Sequence, residues 1–146
     1  MVLDKAGRAA STVSSGGIAL KQPGRVGQAA VFGCGCWAQR GSKQKSSFTV
    51  GISTTGCGEH LVRTFLAREC AQNLRTSRKP LTSLKDVMKE KFAESDFLGE
   101  SINAFLKLGT HYTVYYVKVP ERETPPDSDL CYFTGTENCA SFSECK

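Results

Sequence analysis

STTGCGEHLVRTFLARECAQNL, Ser53–Leu74, runs from small hydroxyl residues and glycines straight into a helical pattern, and its reading decides the fold. Leu61, Val62, Phe65, Leu66 and Leu74 recur on one side, while Arg63, Arg68 and Gln72 fall on others, so the spacing predicts an amphipathic helix beginning after Gly58. Ahead of that helix, Gly56 and Gly58 allow close backbone approach, and a helix start points unpaired N–H groups outward. The natural guests for such a turn are an anion or a carbonyl oxygen that becomes negative during a reaction. A plainer account also stands: glycine-rich strand-to-helix turns are common, and the Thr55 hydroxyl can cap the first turn.

Working outward, FTVGIST (Phe48–Thr54) is β-branched and predicts a strand feeding this turn, and AAVFGCGCWAQ (Ala29–Gln39) predicts a buried strand of small residues before it. The polar RGSKQKSS (Arg40–Ser47) joins the two as a turn, and KQPGRVGQ (Lys21–Gln28) is a loop. At the start, MVLD (Met1–Asp4) reads as the end of a strand, DKAG as a turn, and RAASTVSSGG (Arg8–Gly17) as a returning strand. After RTSRKP, Pro80 can open a second helix with Leu81, Leu84, Val87, Met88 and Phe92 at helical spacing. Both apolar stripes are read as core. Strands followed by helices predict segregated α+β layers, with helices on one face of a largely antiparallel sheet. Beyond Leu98 only HYTVYYVKV (His111–Val119) suggests a strand; PERETPPDSD (Pro120–Asp129) is a linker, and CYFTGTENCASFSECK shows no clear period.

The 146 residues amount to one domain's worth of chain, and a composition 40% hydrophobic and 23% charged is that of a globular protein. No secretory signal precedes residue 16, and AAVFGCGCWA is too short and glycine-broken to span a membrane. The net charge of +5 is concentrated at the front, where residues 1–58 hold seven Lys/Arg against Asp4 alone. Those charges are scattered and accompany no nucleic-acid motif, so nucleic acid is not an expected partner, and neither is a membrane. The seven cysteines form no zinc spacing, with Cys34-x-Cys36, Cys57 and Cys70 far from any His pair; they read as free thiols of the cytosol or nucleus. No metal and no cofactor is expected.

Three blocks, MVLDKAGRAA, SSGGIALKQPGRVGQAAVFGCGCWA and STTGCGEHLVRTFLARECA, together resemble the β-chain of the threonine aspartases (taspases), in the asparaginase-like branch of the N-terminal-nucleophile hydrolases. The likeness covers residues 1–98, a partial β-chain domain, and leaves 99–146 as a divergent C-terminal segment with a linker and a cysteine-containing tail. It implies a four-layer αββα sandwich, here incomplete because the α-segment and part of the β-chain are missing. The precursor of such a protein cuts itself to expose a threonine whose own α-amino group acts as its base.

Residue by residue, the resemblance implies that Ser15 tunes the nucleophile and that Thr55 and Gly56 form the oxyanion pair. It further implies that Arg25 holds a substrate carboxylate as a bidentate fork, and that the backbone of Gly58 lines the pocket. Where small-molecule asparaginases carry an aspartate for the free amine of asparagine, this chain has Gln28, which cannot make that ion pair. The departure favours an endopeptidase cutting after aspartate.

Without the resemblance, Ser15 is a solvated hydroxyl and Arg25 a surface charge. Met1–Asp4 matches only the end of the family's first strand, so the nucleophile's place falls ahead of Met1, and the chain alone is expected not to turn over substrate. GESINAFLKLGTHYTVYYVKV also departs from the Gly-Gly-led strand expected after Leu98. The expected partners are the α-segment of the same precursor, in an αβ heterodimer or its dimer, and nuclear regulatory proteins as substrates. The alternatives are an inactive truncated product that pairs with normal subunits, or an asparaginase or β-aspartyl-peptidase amidohydrolase.

Overall fold

Asp4 fixes the first turn. Its carboxylate accepts the backbone N–H groups of Ala6 and Arg8 at 2.9 and 2.8 Å, and Gly7 takes the left-handed backbone (φ 69°) that closes it. This joins two short antiparallel strands, β1 (Val2–Leu3) and β2 (Ala9–Ala10), in the computed structural model, which describes residues 1–4, 6–15, 18–42, 47–93, 112–119 and 131–135. Of the returning strand expected over Arg8–Gly17, the described residues are regular at Ala9–Ala10 only, and residues 16–17 lie outside them.

A second, four-stranded antiparallel sheet is ordered β3 (Cys36–Gln39), β4 (Thr49–Thr55), β5 (Tyr112–Val119) and β6 (Cys131–Gly135). β4 is the strand read from FTVGIST, and β5 the one read from HYTVYYVKV. The two pair along the full length of β4, from Thr49 opposite Val119 to Thr55 opposite Thr113, so residues beyond 98 supply a strand to the sheet. β6 falls where no period is visible in the sequence; Pro120–Asp129 lies outside the described residues.

The long strand expected over Ala29–Gln39 is corrected to Cys36–Gln39. Its first part is a 3₁₀ turn at Gln28–Ala30 followed by tight turns through Gly33, whose φ of 80° no strand adopts. Small side chains there serve close packing of turns rather than a sheet face.

The predicted helices are present, with one break. α1 (Gly58–Thr64) and α2 (Leu66–Thr76) are separated by Phe65 in the left-handed conformation (φ 49°). The Arg68 N–H, in the first turn of α2 where the helix itself offers no acceptor, donates to the Gly33 carbonyl at 3.0 Å. Phe65 is 46% exposed and leaves the core in which the periodicity puts it. Pro80 opens α3 (Pro80–Val87) at its first position, and the helix widens into a π-type turn over Met88–Ala93. Among the described residues no helix is long and apolar enough to cross a membrane.

α2 covers one face of the sheet, and α3 packs on α2 and completes the core. Val50, Ile52, Val114 and Tyr116 from β4 and β5 meet Leu61, Leu66, Ala67, Cys70, Ala71, Leu74, Leu84, Val87 and Met88. Burial of each such leucine contributes roughly 2 kcal/mol. On the other face a Cβ at Gly51 would stand 3.6 Å from that of Ala9, and the Ser11 hydroxyl donates to the Ile52 carbonyl, so the β1–β2 hairpin lies against β4. The described residues are an α+β arrangement of two small antiparallel sheets and three helices.

Candidate functional site

The end of β4 organises the site. Thr54 is buried, and its hydroxyl donates to the Cys34 carbonyl at 2.8 Å while its N–H donates to that of Gly35 at 2.9 Å. These bonds fasten the Gln28–Gly35 loop to the strand immediately before the glycine-rich turn. Thr55, the last residue of β4, is exposed; Gly56 follows at φ 143°, a conformation that side chains rarely adopt. The helix cap is Cys57, without a side-chain capping bond, so the plainer role considered for Thr55 is not the one found.

Gln28 and Arg25 meet the first turn of α1. The Gln28 Oε1 lies 2.8 Å from where a Cβ on Gly58 would stand, a contact that only glycine at the first position of α1 permits. Arg25 reaches the next residue, its Nη2 donating to Glu59 Oε1 at 3.3 Å. Ser15 lies against this loop, its Oγ 2.8 Å from the position of a Cβ on Gly27. Among the described residues no hydrogen bond joins Ser15 to Thr55 or Arg25 to Thr55. The structure therefore brings Gln28 against Gly58 and Arg25 against the adjacent Glu59, sets Thr55 and Gly56 just before Gly58 in the chain, and places Ser15 against Gly27 of the same loop.

Two residues here escape sequence reading. Glu59 accepts from Arg25 on one oxygen and from the Cys57 thiol on the other, at 3.3 Å each. Its own backbone N–H, the thiol and the Arg25 guanidinium hold the Glu59 carboxyl below its ordinary value against a smaller effect of burial. The Cys57 thiol moves up, chiefly through burial. No sequence spacing pairs Arg25 with Glu59. Among the described residues no three His, Cys, Asp or Glu side chains are gathered as a metal site would need, and Cys34, Cys36, Cys57 and Cys70 are free thiols.

His60, one residue further on, is buried on the core side of α1. Burial, then the nearby Arg63 cation, pulls its imidazole below 6.5, with Glu59 opposing. As pH falls below 6.5 the unfolded chain takes up this proton first, so stability present above 6.5 is expected to fall as pH drops toward the lower folded value. Urea midpoints measured across that range should decline in the wild type and decline less in His60→Gln. Equal declines would assign the effect to other groups.

The pattern of the asparaginase family matches residues 1–104, which take in the loop, β4, the glycine-rich turn and all three helices. The chain belongs to the asparaginase family. Among curated relatives it is 41% identical over 68 residues to an isoaspartyl peptidase of Salmonella typhimurium, a segment that is 47% of this chain and 20% of that protein. It is 38% identical over 71 residues to the isoaspartyl peptidase of Escherichia coli, covering 49% and 20% of the two chains. It is 41% identical over 68 residues to a plant-type L-asparaginase of Pyrobaculum calidifontis, covering 46% and 20%. The matched segment thus spans one fifth of the length of these relatives, all of them hydrolases.

Proposed function

We propose that the chain is the β-chain part of a threonine-type endopeptidase that cuts proteins after aspartate, completed by an N-terminal threonine and an α-segment into an αββα sandwich. The observation that carries this reading is the placing of Arg25 and Gln28 against the first turn of α1. One loop brings a guanidinium suited to a carboxylate to Glu59 and a neutral amide to the adjacent Gly58, where an asparaginase acting on free asparagine needs an acid for the substrate amine. A peptide substrate has no free amine at that point, and Gln28 suits it. Thr55 and Gly56 would then face the tetrahedral oxyanion, and Ser15 would support the nucleophile. An αβ heterodimer or its dimer, nuclear regulatory substrates, and residence in cytosol and nucleus belong to the same proposal, with neither membrane nor nucleic acid as partner.

A second reading, an isoaspartyl peptidase or asparaginase, is favoured by the names of the relatives. The two separate in one assay. The hydrolase that carries this β-chain, supplied with its threonine-bearing start and α-segment, is given a peptide with an internal Asp–Gly bond, an isoaspartyl dipeptide and asparagine. The peptide should be the best substrate, and Gln28→Asp should shift preference toward the small substrates. Arg25→Lys keeps the charge but loses the fork, and should lower kcat/KM on the peptide about tenfold. Faster turnover of the dipeptide or of asparagine by the unaltered enzyme would establish the second reading instead.

A further inference from the structure

Arg25 lies in an exposed loop without regular structure, its backbone held by one turn bond from its N–H to the Gln22 carbonyl at 3.2 Å. A long side chain on such a loop samples many rotamers, and holding it for a ligand costs entropy at the moment of binding. The structure supplies a tether. Glu59, on the rigid first turn of α1, contacts Arg25 with its Oε1, and its other oxygen accepts the Cys57 thiol.

We infer that Glu59 is a positioning residue, orienting the Arg25 guanidinium toward the carboxylate of an aspartyl substrate. The inference rests on the carboxylate-anchoring role proposed above for Arg25. Three features support tethering over simple neutralisation. The contact uses one nitrogen, Nη2, while a guanidinium has five N–H donors, so a second carboxylate can be received on the same fork. At 3.3 Å it is longer than a strong charge-assisted bond, so it orients the arginine without consuming it. The side chains are 33% and 66% exposed, which leaves an approach from solvent open. Gln28, against Gly58, adds no competing negative charge.

The test titrates the hydrolase that carries this β-chain, supplied with its threonine-bearing start and α-segment, with N-acetyl-L-aspartate and follows the amide resonances of Gly56–Gly58 and the Arg25 Nε–H by NMR. Glu59→Ala should weaken binding about fivefold, the scale of one partly exposed ion pair. Glu59→Gln, whose amide oxygen can still accept from Arg25, should stay within about twofold of wild type. That rescue separates positioning from charge, because a general electrostatic role would be lost in both variants, and a urea midpoint of Glu59→Ala equal to that of wild type separates positioning from a folding role. Equal or tighter binding by Glu59→Ala shows that Glu59 competes with the ligand and overturns the inference while leaving Arg25 as anchor. An Arg25→Ala chain that binds like wild type, or a wild type that does not bind, removes the anchor itself and with it both the proposed carboxylate site and the inference.

Discussion

Truncating Ile52 to alanine is expected to lower the free energy of unfolding by about 3 kcal/mol. Ile52 is fully buried at the middle of β4, with Trp37 of β3 and Tyr116 of β5 as its cross-strand neighbours. The sheet face it shares packs on α2, whose Leu66, Ala67, Cys70, Ala71 and Leu74 are all fully buried. The cavity cannot close from the sides, because β4 is hydrogen-bonded to a strand along each edge, nor from above, because neighbours already fill the surface of α2. The transfer and cavity costs therefore add. Half-exposed Phe65 makes the contrast: Phe65→Gly removes a large side chain but also relieves a left-handed backbone, and should change stability by less than about 1 kcal/mol. Urea titration of the two variants decides it. A small loss for Ile52→Ala at an unchanged denaturant slope would mean that the sheet and α2 are not packed as described.

Legibility in the sequence follows how local each cause is. β4 is visible because Thr49, Val50, Ile52, Thr54 and Thr55 are β-branched, and α3 because Pro80 and an apolar period announce it. The break at Phe65 is not visible, since the Gly33 carbonyl that captures the Arg68 N–H arrives from a loop distant in sequence. The same remoteness hides the Arg25–Glu59 pair: in the sequence Glu59 is only an acid in the first turn of a helix, where acids are common. The run of small residues at Ala29–Gly35 reads as a strand because smallness fits a buried strand and a packed turn equally well, and only the Thr54 bonds to Cys34 and Gly35 distinguish them. The roles of Arg25, Gln28 and Gly58 rest on a family likeness; the structure adds that one loop carries Gln28 to Gly58 and Arg25 to the adjacent Glu59.

Gly35→Ala and Gly58→Ala are expected to part company, and the comparison tests how the site is held. A Cβ on Gly35 would stand 2.9 Å from the Gln28 carbonyl oxygen and 3.1 Å from the Ala29 Cα, both backbone atoms, and 2.7 Å from a Val13 methyl. The methyl can rotate, but the 3₁₀ turn at Gln28–Ala30 can yield only by pulling against the loop that Thr54 grips, so Gly35→Ala should cost roughly 2 kcal/mol or more. At Gly58 the obstacle is the amide end of Gln28, 2.8 Å away, which can swing aside, and alanine is the better residue inside a helix. Gly58→Ala should therefore change stability by less than about 1 kcal/mol while displacing Gln28 from its place against the first turn of α1. Urea midpoints for both variants, together with the Gln28 side-chain amide resonances, report the two effects separately. A Gly35→Ala chain as stable as wild type would show that the loop is not fixed against β4, and an unmoved Gln28 amide in Gly58→Ala would show that Gln28 does not rest on the first turn of α1.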